Sequence, residues 1–144
     1  MTAGEELATV VVERVIAAPP ADVYAAWVAP DTLARFVAPE PGRAEVEIDP
    51  RVGGRMRIVM TFPDRVTEIE GDYLALDPPH RISFSWRPLA AGFQSVVTVE
   101  LAAHGDGETR MTITHTRLPA GWRDSYHRGW GSIARQAAAV LAAR

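Results

Sequence analysis

The sequence predicts an α+β fold, a curved antiparallel sheet in β-α-α-β-β-β-β-β-β-α order wrapped around one long carboxy-terminal helix. Three observations predict it. Between Arg43 and Arg117 apolar and polar residues alternate in successive runs, the period of strands buried on one face. Short turn signals separate those runs, so sequence neighbours pair antiparallel. Beyond Arg117 the period lengthens, and Trp122, Tyr126, Trp130, Ile133, Ala137, Val140 and Leu141 draw one stripe along a helix.

Taken in order, residues 8–16 carry Val10, Val11, Val12, Val15 and Ile16, a β-branched run that predicts a strand ended by Pro19-Pro20. Val23, Ala26 and Trp27 then fall at i, i+3 and i+4, one face of a short helix. Pro30 stops that helix, and Asp31 is placed to cap a second one holding Leu33 and Phe36. Alternation defines the strands that follow. Ala44, Val46 and Ile48 face inward on the first, and Met56, Ile58, Met60 and Phe62 on the next. Ile82, Phe84 and Trp86 do so further on, then Val97, Val99 and Leu101, then Met111, Ile113 and His115. Between Val66 and Leu76 the phase changes, which places a bulge at Gly71. Turns are expected at Pro63-Asp64, Asp77-Pro78-Pro79, Pro88 to Gly92 and His104-Gly105-Asp106-Gly107. In the last helix Gly129 and Gly131 flank Trp130, each weakening the helix by about 1 kcal/mol relative to alanine, which suggests close packing or a bend there. The whole of 1–144 reads as one domain, with residues 1–7 a flexible amino-terminal segment.

Composition narrows the chemistry. With 47% hydrophobic and 23% charged residues the chain is globular rather than disordered. A chain of 144 residues can bury roughly 70% of its unfolded surface and needs no metal or disulfide to hold it. There is no cysteine, which excludes disulfides, thiolate catalysis and cysteine-ligated zinc. All fifteen basic residues are arginine, so Schiff-base chemistry and a phosphate-gripping P-loop lysine are excluded too. A net charge of -3 argues against a general grip on nucleic acid. The first residues are acidic where a signal peptide is basic, and no apolar run approaches the roughly 20 residues of a membrane helix. A cytoplasmic protein with no membrane span is expected. No pair among the four histidines has metal-ligand spacing, so neither a metal nor a cofactor is expected.

One helix, about 10 Å wide, cannot cover several strands spaced about 4.8 Å apart, so a hollow is expected between sheet and helix. Its candidate lining is Trp27, Phe36, Met56, Met60, Phe84, Trp86, His115, Tyr126 and Trp130, all on inward phases. The same positions also serve as core, and Trp86 and Trp130 are large enough to fill the hollow. His115 is the candidate general base or ligand partner; its ordinary alternative is a half-buried histidine bonded to backbone. Gly53-Gly54 lacks a following helix and reads as a bend that starts a strand, not as a phosphate loop. Glu68 and Glu70 read as a solvated outer face, and Ser125 and Ser132 lack a nucleophile's setting. Arg57, Arg87 and Arg117 are expected at the surface, with anchoring of a ligand carboxylate as their second role.

Four ordered motifs carry a family resemblance: Ala18-Pro19-Pro20-Ala21-Asp22-Val23-Tyr24, Asp49-Pro50-Arg51-Val52-Gly53-Gly54-Arg55-Met56, Gly71-Asp72-Tyr73-Leu74-Ala75-Leu76-Asp77-Pro78-Pro79-His80-Arg81-Ile82, and Gly129-Trp130. Over roughly residues 8–142 the chain resembles the START-like, birch-pollen-allergen-like (SRPBCC) superfamily, and within it the branch named for the activator of the heat-shock-protein ATPase. The resemblance implies the helix-grip fold. Members of the superfamily bind lipids, polyketides and hormones, and some catalyse cyclisation. Binding of a small, mostly hydrophobic molecule is the expected function here. The alternative is a cofactor-independent cyclase, aromatase or dehydratase on a polyketide-like or other carbonyl substrate, with His115 as base and Tyr126 or an arginine polarising the oxygen. A second alternative is a protein-interaction role, as a chaperone ATPase activator or a homodimer.

Overall fold

The β-branched amino-terminal run forms β1 (Leu7–Ile16) in a computed structural model that describes residues 6–144. Most of the expected flexible segment, residues 1–5, lies outside the described residues. Glu6 and Leu7 are tied in: the Ala120 N–H donates to the Glu6 carbonyl at 2.9 Å, and Leu7 pairs with Pro119.

Pro20 occupies the first turn of α1 (Pro20–Trp27), where its missing N–H costs nothing, and the N–H groups of Asp22 and Val23 bond back to the Pro19 carbonyl. The helix buries Val23, Tyr24, Ala26 and Trp27. α2 (Pro30–Leu33) starts the same way. Its N-cap is Ala29, so the cap expected of Asp31 is corrected: proline fills the first position and Asp31 lies inside the first turn, with no side-chain cap bond. Phe36 lies beyond the helix, in the turn that follows, yet is fully buried.

The alternating segments form β2 (Arg43–Ile48), β3 (Arg55–Phe62), β4 (Arg65–Asp77), β5 (Arg81–Pro88), β6 (Ser95–His104) and β7 (Glu108–Pro119). All pair antiparallel, in the order β1-β7-β6-β5-β4-β3-β2, so β1 closes one edge by joining the last strand. A single 3-10 turn, Ala120–Trp122, leads into α3 (Arg123–Ala142). This is the helix-grip arrangement.

The β4 irregularity is real but displaced. Its register against β5 shifts between Tyr73 and Ala75, leaving Leu74 turned outward, so the bulge lies beyond Gly71. Gly71 answers a different demand: an added Cβ would run into the Ser85 carbonyl oxygen of β5. Nor do the helix glycines mark a tight contact. A Cβ on Gly129 would meet only Pro39, at an ordinary 3.6 Å, and one on Gly131 would meet nothing within 4 Å.

The inward phases build the core. Met56, Ile58, Ile69, Tyr73, Phe84, Val97, Val99, Met111 and Ile113 from the sheet are buried together with Trp130, Ile133, Ala137 and Leu141 of α3. Each large apolar side chain buried in this way contributes about 2 kcal/mol. The amino-terminal end of the α3 stripe does not join them: Trp122 is 42% exposed and Tyr126 half-buried. From one flank of α3 the Gln136 amide donates to the Phe36 and Ala38 carbonyls at 3.0 and 2.8 Å and accepts from the Glu40 N–H at 2.9 Å. That side chain straps the segment after α2 onto the helix and sets Pro39 beside it.

Candidate functional site

Where α3 leaves the sheet, a cavity of about 510 Å³ opens, within the range that takes a small organic ligand. Met60 and Phe62 of β3, Arg65 to Thr67 and Ile69 of β4, and Trp86 and Pro88 of β5 form the sheet side. Trp122, Ser125, Tyr126, Gly129, Trp130 and Ile133 form the helix side, and Pro39, Ala90 and Ala91 close the rim. Strand alternation puts Met60, Ile69 and Trp86 on the inward face, and Trp122, at the cap of α3, is followed at intervals of four by Tyr126 and Trp130 on the helix.

Four residues of the predicted lining come together here: Met60, Trp86, Tyr126 and Trp130. Trp27, Phe36, Met56, Phe84 and His115 do not line this cavity. Trp27 packs edge-on against Phe36, ring centres 5.2 Å apart, and its indole N–H points at the Met111 sulfur at 3.4 Å, a cluster under α1 and α2. Met56 and Phe84 lie in the core, Phe84 edge-on to Tyr73 at 6.2 Å. Trp86 and Trp130 do pack together, 5.4 Å between ring centres. They fill the interior at that point and still form part of the cavity wall.

His115 is fully buried, and its bonds run to side chains, not to the backbone partner expected of it. The Trp130 indole N–H donates to its Nδ1 at 2.9 Å. An indole N–H is a donor only, so Nδ1 must be the unprotonated nitrogen and Nε2 must carry the proton. Nε2 donates to the Ser95 hydroxyl at 2.7 Å, and that hydroxyl donates to the Trp86 carbonyl at 3.2 Å. Burial pulls the His115 pKa down to about 3. A neutral imidazole with both nitrogens engaged and no face on the cavity has no lone pair to offer a substrate. The candidate base is thus placed behind the cavity wall, with both ring nitrogens engaged.

The Trp86 indole N–H donates to the Tyr126 hydroxyl at 3.0 Å. Burial raises the Tyr126 phenol above its ordinary value, and the bond from Trp86 only partly opposes that. Among the described residues Arg65 is the one ionised side chain in the wall, stacked 4.3 Å over the Phe62 ring and bonded to Asp64 at 3.0 Å. The arginines singled out in the sequence lie elsewhere. Arg57 faces Glu47 and Glu68 at 3.6 and 3.5 Å, and Arg87 bonds Asp72 at 3.0 Å. Arg117 sits in the left-handed region, φ 63°, at the irregular end of the β1–β7 pairing. Glu70 meets Arg55 at 3.2 Å, so the paired carboxylates belong to charge pairs across β3 and β4.

Ser95, Arg65 and Trp122 carry roles the sequence reading missed. Arg65 was within reach, because a two-residue Pro63-Asp64 turn places it opposite Phe62. Ser95 gave no signal, since its partners come from β5 and β7. Among the described residues no group of histidines and carboxylates converges as a metal site, and no helix is long and apolar enough to cross a membrane.

This architecture has close counterparts among solved structures. A protein of Chromobacterium violaceum is 30% identical, with a TM-score of 0.86 over 92% of this chain and 96% of its own. A protein of Mycobacterium smegmatis is 26% identical, with a TM-score of 0.79 over 94% and 91%. A third, from Nitrosomonas europaea, shares the fold at 22% identity, TM-score 0.81, over 99% and 97%. No curated protein matches the chain. The sequence model of one family, described as Activator of Hsp90 ATPase homolog 1-like protein, matches residues 17–142. That match spans both short helices, the meander from β2 to β7 and all of α3, and the chain belongs to this family, of the START-like (SRPBCC) type.

Proposed function

We propose that the protein binds a small, mostly hydrophobic molecule in the cavity between β3–β5 and the amino-terminal half of α3, in the cytoplasm. The observation that carries this reading is the cavity wall: three indoles, Trp86, Trp122 and Trp130, with Met60, Phe62 and Ile133, surround about 510 Å³ of space. Apolar surface left facing a concave space is stabilised by an apolar occupant at about 25 cal/mol per Å² removed from water. Binding is favoured over a catalytic use of the same space by the setting of His115, which is buried, bonded through both ring nitrogens and packed against Trp86 and Trp130.

Native mass spectrometry of the protein purified from its own host, compared with the same sample denatured, tests the reading. A released small molecule near one per chain is the expected result. A chain that neither arrives loaded nor takes up apolar compounds when they are added contradicts it.

A further inference from the structure

We propose that the Tyr126 hydroxyl is the hydrogen-bond donor that orients the ligand, and that the ligand is therefore an uncharged apolar molecule carrying a carbonyl-type acceptor oxygen. The inference deepens the cavity-binding reading and rests on it.

The argument follows the direction of the hydrogen bonds. Trp130 donates to His115, His115 to Ser95, and Ser95 to the carbonyl of Trp86. The indole of the same Trp86 donates to the Tyr126 oxygen. A phenol has one proton to give and lone pairs to receive with. The receiving side is occupied by Trp86, and among the described residues no acceptor takes the Tyr126 proton. Trp86 and Tyr126 both line the cavity, so the uncommitted donor belongs to its wall.

The ring that carries this hydroxyl is held on several sides. His115, Phe93 and Trp86 lie edge-on at 4.8, 6.2 and 6.3 Å between ring centres, and Trp122 lies tilted at 6.1 Å. The donor therefore arrives already oriented, and a ligand spends no rotamer entropy to find it. Because burial raises the phenol, the proton remains in place at neutral pH.

The rest of the wall narrows the partner. Among the described residues no carboxylate lines the cavity, so an ammonium group would go unpaired. The one guanidinium of the wall among the described residues, Arg65, is more than half exposed and held against Phe62 and Asp64, so a carboxylate on the ligand would lose hydration for a cation that stays in water. A ketone or ester oxygen meets the donor without either cost.

Equilibrium dialysis of the full chain with 2-acetylnaphthalene and 2-ethylnaphthalene tests this. The two probes match in shape and differ in the carbonyl. The quantity read is the acetyl-to-ethyl affinity ratio in wild type against Tyr126→Phe, which cancels the difference in their hydration. The ratio is expected to fall about tenfold in the variant, the effect of one buried neutral hydrogen bond. Tyr126→Phe keeps the ring and its aromatic contacts, and Tyr126→Met deletes the hydroxyl a second way should the first variant fail to fold. An unchanged ratio, with both probes bound, overturns the role of Tyr126 and leaves the cavity reading standing. Failure of wild type to retain either probe overturns the cavity reading and this inference with it.

Discussion

At the scale of single residues, His115 makes the acid side of stability predictable. In the unfolded chain it titrates near its ordinary 6.5, whereas in the folded protein burial holds it unprotonated down to about 3. As pH falls through 6.5 the unfolded state takes up a proton that the folded state refuses, so stability is lost on acidification and regained as pH rises. Between pH 7 and 5 this amounts to about 2 kcal/mol. Urea denaturation at the two pH values should show wild type losing that much more than His115→Gln; equal losses would mean that the imidazole is not held neutral. The inward phase of His115 was readable in the Met111-Ile113-His115 alternation. Its partners were not, because Ser95 and Trp130 reach it from β6 and α3, and alternation within one strand carries no information about what crosses over it.

At the scale of elements, the strands and the long helix were legible because each has a clean period, and the structure follows them closely from β2 to α3. The misreadings are local and have local causes. Asp31 does not cap α2 because Pro30 takes the first position. Phe36 is buried without being helical, because Gln136 holds its carbonyl against α3 from 100 residues away in sequence. At Gly71 the glycine was noticed for the wrong reason: a bulge and a close approach leave the same mark in a sequence. The structure separates them, and the consequence is measurable. Gly71→Ala forces a Cβ into the Ser85 carbonyl at the β4–β5 junction and should cost about 3 kcal/mol in denaturant titration. A loss below about 1 kcal/mol would show that β4 and β5 can move apart there.

At the scale of the molecule, the shortfall of one helix against a wide sheet foretold a hollow but not its position. Inward phase identifies the face of the sheet; it does not say how far along that face α3 reaches. Trp27, Met56 and Phe84 share their face with Met60 and Trp86, yet only the latter two lie where the helix lifts away. The glycine at position 129 offers the most direct test of whether that space binds anything. It lines the cavity, and an added Cβ makes only ordinary contact with Pro39. Gly129→Leu therefore points a side chain into the space while raising helix propensity by about 1 kcal/mol, and its melting temperature reports whether the fold accepts it. The decisive measurement is a fluorescence titration of wild type and Gly129→Leu with the uncharged ketone dye 6-propionyl-2-(dimethylamino)naphthalene, alongside their melting temperatures. The cavity account predicts one site per chain in wild type and at least a tenfold weaker one in a variant that melts no lower. Equal binding by the two proteins, or none by wild type, would contradict it.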